Sequence, residues 1–316
     1  MEILVLLLPI IAIIVTGIVF GNLKVLPDST SDILIQFVYW IAIPALLFSI
    51  IAEESLQGLF KPGFYLVFGG GVAVLFAAVF AYVRIWQATP FRDATLLAFM
   101  SVGSNTAFVA LPVLHSLFGQ KAVLPTAIAT VILIVLIIVT TLLLENSGDE
   151  QTSNKSIVAT GFVRTLKNPL ILASLLGVLY AATGLPLPSV VKQYLGILGS
   201  AVTPCALFAV GMAMRLQDVR LDAAAIFAVS AIKLIAFPAL VLAAALLIGL
   251  NPVFAIAGTV CAAVPVGKTV FVLAEQYGGS PQRVAATISV SSLSSVVTLT
   301  VWLFVLARIF PGSFSG

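Results

Sequence analysis

The chain has 316 residues, of which 61% are hydrophobic and only 9% are charged, and its formal net charge at pH 7 is +3. Soluble domains carry about 25% charged residues, so this chain cannot cover a water-facing surface. The basic residues are spread over short loops, without the basic run or aromatic platform that nucleic-acid binding needs. Continuous apolar windows of roughly 20 residues predict an all-α polytopic membrane protein, whereas a β-barrel would show alternating apolar and polar residues.

Ten transmembrane helices are predicted in chain order. Their approximate ranges are 3–21, 33–52, 63–83, 93–118, 122–144, 168–184, 189–214, 223–249, 253–277 and 283–308. The first lacks the basic start and the cleavage signal of a signal peptide. The hydrophilic stretch that follows the fifth helix divides the chain into a first five-helix repeat at 1–144, a cytoplasmic linker at 145–167 and a second repeat at 168–316. Cys205 and Cys261 lie in apolar runs and are interpreted as small buried hydrophobic residues.

The placement of Lys and Arg predicts the orientation in the membrane, because cytoplasmic loops are enriched in these residues. With both termini outside, the cytoplasmic segments hold Lys24, Arg84, Arg92, Lys155, Arg164, Lys167, Arg215, Arg220 and Arg283. The external segments then hold only Lys61, Lys121, Lys192 and Arg308. We therefore expect a protein of the cell inner membrane whose N-terminus and C-terminus are both outside.

The two halves of the sequence resemble each other. Pro44 in the second helix aligns with Pro204 in the seventh, 160 residues later, and Gly119 aligns with Gly278, 159 residues later. An odd number of helices in each half makes the two repeats inverted in the membrane. Inverted repeats with interrupted helices at matching positions indicate a secondary transporter and its substrate site. The mid-span prolines, Pro112 included, are expected to support that site.

The stretch SVGSNTAFVALP at 101–112 interrupts the fourth helix with small and polar residues. Backbone that departs from helix at membrane depth must be buried by protein or line a cavity. The 159-residue offset pairs it with GTVCAAVPVGKT at 258–269, where Pro265 removes a backbone donor and Gly267 follows. These are the broken helices four and nine, which we expect to cross near the midplane of the membrane.

A crossing of this kind favours an anion. The second half-helices would begin near Thr106 and Val266 and would point positive dipole ends and free N–H groups at one place. Lys268 follows Pro265 by three residues, about 4.5 Å into the second half-helix. Its ammonium group is either a counter-charge for a carboxylate substrate or a structural group bound to backbone carbonyls of the other broken helix.

Lys233 is the other cation that lies deep within a predicted span, roughly 16 Å from the start of that span. We expect it to neutralise the negative ends of the first half-helices rather than to contact the substrate, although direct contact remains an alternative. The sequence has no Asp or Glu between Asp93 and Glu145, or between Asp222 and Glu275. Carboxylates that carry protons or sodium in many pumps are therefore absent from both predicted crossing segments.

Three motifs resemble the auxin efflux carrier family, whose bacterial members include organic-acid permeases of the malonate type. They are GSNTAFVALPVL at 103–114, NPLILASLLGVLY at 168–180 and AAVPVGKTVFVLAEQYG at 262–278. The resemblance covers essentially the whole chain and implies a ten-helix, five-plus-five inverted-repeat fold with a scaffold domain and a transport domain. It also implies elevator-type alternating access, homodimers, and an organic anion bound at the crossing marked by Asn105 and Pro265.

We therefore expect a secondary transporter or uniporter for a small organic anion, such as malonate or an auxin-like acid. The predicted substrate-binding residues are Ser104, Asn105, Thr106, Pro265, Gly267 and Lys268, with Thr130 and Thr203 as weaker candidates. No cofactor or metal is expected, but sodium or proton coupling of the bile-acid symporter type stays open, as does a membrane sensor that has lost transport. No HExxH, P-loop or GxSxG motif suggests an enzyme.

Overall fold

The computed structural model describes residues 2–27, 29–54, 60–145, 168–213, 222–277 and 280–314. These residues are helical apart from turns, short connections and one isolated backbone bridge. The prediction of an all-α protein is therefore confirmed for the described part of the chain. The predicted linker, apart from Glu145, and the loop residues Arg215, Arg220 and Gly278 lie outside the described residues.

We number the helices of the described residues α1 to α12 in chain order. Their bounds are Glu2–Leu23 (α1), Thr30–Ala52 (α2), Pro62–Ile85 (α3), Phe91–Val102 (α4), 106–118 (α5), Val123–Glu145 (α6), Pro169–Ala182 (α7), Ser189–Ala213 (α8), Ala223–Ile248 (α9), Pro252–Ala263 (α10), Thr269–Tyr277 (α11) and Pro281–Ile309 (α12). Eight of the ten predicted spans each overlap a single helix. The other two, 93–118 and 253–277, each overlap a pair of helices that are separated by a break.

Six stretches of the described residues are long and apolar enough to cross a membrane. They are Thr30–Ala52, Pro62–Ile85, Thr106–Leu144, Ser189–Ala213, Ala223–Ile248 and Pro281–Ile309. The stretch Thr106–Leu144 contains both α5 and α6, which are joined by the turn Gly119–Ala122. Shorter apolar helices lie beside them, so the chain is a polytopic membrane protein.

The mid-span prolines are accommodated by local changes in helix geometry. A π-helical turn ends two residues before each of Pro44, Pro112 and Pro238. A proline ring clashes with the carbonyl four residues earlier, and a wider turn moves that carbonyl away. In α8 the chain instead forms a turn at Ala201, and Pro204 lies just beyond it. These prolines therefore shape the helices without ending the spans.

Two apolar clusters hold the helices together. The smaller cluster is built from buried side chains of α2, α5, α6, α7 and α8, with Ile43, Leu46 and Val202 among them. The larger cluster is built from buried side chains of α3, α4, α9, α10, α11 and α12. Parts of α1, α5, α6 and α8 also contribute to it. Each cluster therefore contains helices from both the first and the second half of the chain, and α5, α6 and α8 contribute to both.

Helices α1 and α8 approach each other closely at glycines. A Cβ built on Gly211 would overlap the carbonyl oxygen of Ile14 and would lie 3.1 Å from the Cα atom of Gly17. A Cβ built on Gly17 would likewise overlap the carbonyl oxygen of Phe208. Small residues allow such contacts between membrane helices, which associate by close packing rather than by the hydrophobic effect.

We expect Gly211→Ala to destabilise the protein by about 1–3 kcal/mol, because the added methyl forces α1 and α8 apart. The measurement is the unfolding temperature in detergent. Gly196→Ala in the same helix is the matched control, since a Cβ there meets no atom within 4 Å. If both variants lost the same stability, the close contact between α1 and α8 would not be the cause.

Candidate functional site

The two helix breaks lie against each other and are joined through their backbones. The N–H group of Asn105 donates to the carbonyl of Pro265 at 2.9 Å, and the N–H group of Gly267 donates to the carbonyl of Gly103 at 3.1 Å. The two segments run antiparallel through an isolated bridge at Ser104. Each break thus supplies hydrogen-bond partners for the other, which non-helical backbone needs at membrane depth.

Glycine is required at one of these positions and not at the other. A Cβ on Gly103 would lie 2.8 Å from the carbonyl oxygen of Phe99 and would also press on the Phe99 ring. The nearest atom to a Cβ on Gly267 would be the carbonyl oxygen of Ser104 at 3.6 Å, an ordinary contact. Gly103 therefore allows α4 to end tightly, whereas a Cβ at position 267 would fit against the other break without a clash.

The second helix of each broken pair begins close to the contact between the breaks. Helix α5 begins at Thr106, as predicted, but α11 begins at Thr269 and not near Val266. Residues 264–268 remain outside regular helix because Val266 pairs with the other break. Lys268 therefore lies just before the first turn of α11, instead of one turn inside the helix.

Side chains from neighbouring segments also support the breaks. The N–H group of Val266 donates to Ser291 Oγ of α12 at 3.3 Å, and Ser291 is fully buried. Ser104 Oγ donates to the carbonyl of Val102 at 3.2 Å. The serine-rich helix α12 thus includes one side chain that binds the break.

Lys233 lies behind the second break and is fully buried. Its Nζ donates to the carbonyl of Ala262, one of the last carbonyls of α10, and lies 5.2 Å from the centre of the Phe237 ring. The neighbouring carbonyl of Leu234 accepts a hydrogen bond from Trp302 Nε1 at 2.8 Å. Lys233 thus binds the negative end of a half-helix and is not among the residues that line the cavity described next.

A cavity of about 320 Å³ lies on one side of the paired breaks, within the size range of small-molecule sites. It is lined by Ile35, Tyr39, Ser104, Asn105, Thr106, Ala107, Phe108, Thr130, Leu133, Ile134, Ile137, Asn168, Leu170, Val210, Ala213, Val266, Gly267, Lys268, Thr269, Ile288, Ser289 and Ser292. It reaches Asn168 at the start of α7 and Ala213 at the end of α8. Because Asn168 directly follows the predicted linker, the cavity lies towards the linker side of the membrane.

Most of the predicted substrate-binding residues line this cavity. They are Ser104, Asn105, Thr106, Thr130, Gly267 and Lys268. Two do not line it. Pro265 contributes its carbonyl to the contact between the breaks, and Thr203 Oγ1 donates to the carbonyl of Pro112 at 3.3 Å. The predicted supporting prolines, Pro44, Pro112 and Pro204, also lie outside the lining.

The polar groups of the cavity differ in whether they already have partners. Thr130 Oγ1 bonds both the Thr106 hydroxyl at 2.9 Å and the carbonyl of Thr126 at 2.8 Å. Within the described part of the chain, the Asn105 carboxamide and the Lys268 ammonium make no hydrogen bond or ion pair. An amide and a cation without partners, beside the start of two helices, are suited to a carboxylate.

The sequence did not identify the apolar residues that line the cavity. Tyr39 of α2 and Phe108 of α5 stack with ring centres 6.2 Å apart and an interplanar angle of 28°. Aliphatic side chains of α6 and α8 also line the cavity. A spacing pattern could not single out these residues, because aromatic and aliphatic residues occur throughout the predicted spans.

A second cavity beside the breaks, of about 40 Å³, is lined mostly by apolar side chains of α1, α5 and α12, together with Val210 and Pro265. The larger, partly polar cavity is therefore the better candidate for a binding site. Among the described residues, no group of three His, Cys, Asp or Glu side chains could hold a metal ion.

This is a polytopic helical protein in which two helix breaks pair through their backbones beside a partly polar cavity. That is the architecture of a membrane transporter. A model of the membrane transport protein family matches residues 2–303. The chain therefore belongs to this family, which is the auxin efflux carrier family that its motifs resemble. It is a transporter and not an enzyme.

Several named relatives are similar to the chain. A candidate malonate transporter of Rhizobium meliloti (strain 1021) is 27% identical over 307 residues, which cover 96% of each chain. The uncharacterised transporter YfdV of Escherichia coli (strain K12) is 22% identical over 303 residues, covering 95% of this chain and 96% of YfdV. Auxin efflux carrier component 2 of Oryza sativa subsp. japonica is 29% identical over 153 residues, covering 46% of this chain and 24% of the rice protein.

Proposed function

We propose that the protein is a secondary active transporter or uniporter that moves a small organic anion across the cell inner membrane. The observation that carries this proposal is the placement of Asn105 and Lys268. Both line the cavity at the paired breaks, and neither has a hydrogen-bond partner in the described part of the chain. The names of the relatives, which mention malonate and auxin, agree with a carboxylate substrate.

In the proposed site the anion lies between the two breaks. Lys268 supplies the positive charge, and the carboxamide of Asn105 donates hydrogen bonds to a carboxylate oxygen. Ser104 and Thr106 add hydroxyl groups, and the N-terminal ends of α5 and α11 add to the positive potential. Charge-assisted hydrogen bonds of this kind are about twice as strong as neutral ones.

We further propose ten spans in two inverted five-helix repeats, with α4–α5 and α10–α11 as the crossed fourth and ninth helices. The repeats would be 1–144 and 168–316, joined by a cytoplasmic linker. The antiparallel contact between the breaks supports the crossing, and the two apolar clusters, which each combine helices of both halves, agree with domains that are formed from both repeats. In this arrangement the scaffold contains α1, α2, α7 and α8, and the remaining helices move past it in an elevator-type cycle.

Both termini would lie outside, which places the cavity on the cytoplasmic side, and the functional unit would be a homodimer. Exposed basic residues at the cytoplasmic ends of the helices, such as Lys24 and Arg84, support this orientation. The positive potential around the cavity mouth would also attract anions.

Two other functions remain as alternatives. A sodium- or proton-coupled carrier could bind its ion through hydroxyl, amide and carbonyl groups, and the hydroxyl pair of Thr106 and Thr130 is the observation that favours this one. A membrane sensor would bind the anion without moving it.

The proposed function is tested by uptake into proteoliposomes. Labelled malonate would be offered with a panel of mono- and dicarboxylates as competitors, with and without sodium, a pH step and a membrane potential. We expect saturable uptake that is lost in Asn105→Ala. Absence of uptake of any acid by correctly inserted protein, under every gradient, would contradict the proposal.

A binding measurement with Asn105→Leu tests whether the acid binds in the cavity at the breaks. Leucine has nearly the shape of asparagine but no polar group, so we expect acid binding to weaken about tenfold or more while the fold is retained. Thr203→Val is the matched control, because Thr203 bonds a carbonyl outside the cavity lining. Unchanged binding in Asn105→Leu would remove this cavity from the proposed mechanism.

A further inference from the structure

Helix α10 ends part-way through the predicted ninth span, and the last carbonyl groups of a helix have no partner within it. The N–H group of Val264 donates to the carbonyl of Val260 at 3.1 Å, so the carbonyls of the next three residues must be satisfied by other groups. The C-terminal end of a helix also carries a partial negative charge, which a cation stabilises. A positive charge is therefore favoured at the end of α10.

Lys233 supplies this charge from the neighbouring helix α9. Among the described residues it is the one charged side chain that is fully buried. Its Nζ donates to the carbonyl of Ala262, and the Phe237 ring lies within the usual distance of a cation–π contact, at 5.2 Å. No carboxylate in the described part of the chain forms an ion pair with it, although the side chain of Cys261 is close enough to interact with its charge. A carbonyl and an aromatic face therefore hold the ammonium group.

A second polar group near Lys233 has no partner. Ser230 lies three residues earlier in α9, on the same face of the helix, and is only 4% exposed. Its Oγ makes no hydrogen bond within the described residues. A buried hydroxyl without a partner is costly, and its oxygen can accept a hydrogen bond from a cation. The surroundings of the Lys233 ammonium therefore combine a carbonyl, an aromatic face and a spare hydroxyl.

We propose that these groups form a binding site for a primary ammonium ion, and that Lys233 fills this site permanently with its own side chain. Hard metal cations take several oxygen ligands, whereas Lys233 contacts one carbonyl among the described residues. The aromatic face and the hydrogen-bond acceptors suit an ammonium group better. The protein thus carries its own cation at the second break and need not recruit one from solution. Truncation of Lys233 opens a site for an amine, and not merely an apolar cavity.

The experiment measures the unfolding temperature of Lys233→Ala in detergent with a series of small amines. The truncation removes three carbon atoms and the amino group, which together have the size of n-propylammonium. We expect n-propylammonium chloride at about 50 mM to raise the unfolding temperature by about 3 °C, and methylammonium and n-butylammonium to raise it less. The unmodified protein should not respond, because its site is already filled.

Lys233→Met is the matched control, because methionine removes the charge but fills the volume, and no amine should stabilise it. Sodium chloride at the same concentration controls for ionic strength, and 1-propanol fills the space without a charge. Equal stabilisation of Lys233→Ala by sodium chloride or 1-propanol would overturn the proposal, as would an equal response of Lys233→Met to the amines. The absence of any response would also overturn it.

The recovery of Lys233→Ala is a further readout if the variant folds poorly. Recovery that requires n-propylammonium during purification would support the ammonium site. Failure to recover it with or without the amine, while Lys233→Met is recovered, would show that a cation does not repair the truncation. That result would contradict the proposal.

Discussion

Lys268→Ala is expected to abolish high-affinity anion binding, raising the dissociation constant about tenfold to 100-fold, while the protein remains folded. Lys268 lines the cavity and has no partner in the described part of the chain, so its loss breaks no internal hydrogen bond. What is lost is the charge-assisted bond to the carboxylate, which is worth about 1.5–3 kcal/mol. The unfolding temperature without ligand should therefore stay the same.

The measurement is binding of a carboxylate at several salt concentrations. The unmodified protein should lose affinity as ionic strength rises, because salt screens a partly exposed charge, and Lys268→Ala should lose this dependence. Lys268→Arg should retain most of it. Lys121→Ala is the matched control, since Lys121 is exposed on the turn between α5 and α6 and does not line the cavity. Equal affinity in Lys268→Ala would exclude this residue from the site.

Much of the helical framework could be predicted because membrane helices have a strong signal in composition. Every predicted span overlaps a helix, and the start of α5 at Thr106 was predicted at the residue where it lies. The polar cluster beside Gly103 identified the first break, and Pro265 with Gly267 identified the second. Both breaks depend on glycine, proline and small polar residues at the break itself, and such residues can be identified from the sequence alone.

Other features depend on contacts between distant segments and could not be predicted. The sequence predicts the start of α11 near Val266, but backbone pairing with the first break keeps residues 264–268 outside regular helix and moves that start to Thr269. Thr203 was grouped with the site because it neighbours a proline, yet it bonds the carbonyl of Pro112. Both differences follow from tertiary contacts that chain spacing does not encode.

The sequence did not reveal the apolar residues of the cavity lining, for a different reason. Tyr39 and Phe108 are two aromatic residues in a chain that has 21 Phe and 6 Tyr, so neither stands out by type or spacing. Their place in the cavity lining depends on how α2 and α5 pack together. In a membrane protein, where apolar residues are the background, the sequence reveals polar site residues much better than it reveals the apolar residues that line the same cavity.

Lys233→Met is expected to lower the stability of the protein and to leave its ligand preference unchanged. Lys233 is fully buried and its Nζ binds the carbonyl of Ala262 at the end of α10. Methionine fills a similar volume but cannot donate, so the carbonyl loses its partner, at a cost of about 1–3 kcal/mol. Lys233→Ala should cost more, about 2–5 kcal/mol, because it also leaves a cavity beside Phe237.

Two measurements, made on Lys233→Met and Lys268→Ala together, separate a supporting lysine from a binding lysine. Lys233→Met should lower the unfolding temperature in detergent and keep the relative affinities for the acid panel. Lys268→Ala should keep the unfolding temperature and weaken the binding of the acids. A third variant, Trp302→Phe, serves as a comparison, because it removes the donor to the nearby carbonyl of Leu234 and should lower stability in the same way. If Lys233→Met instead changed which acids bind and kept the unfolding temperature, Lys233 would belong to the binding site. The two lysines therefore test whether the positive charges at the paired breaks divide into one that holds the backbone and one that holds the substrate.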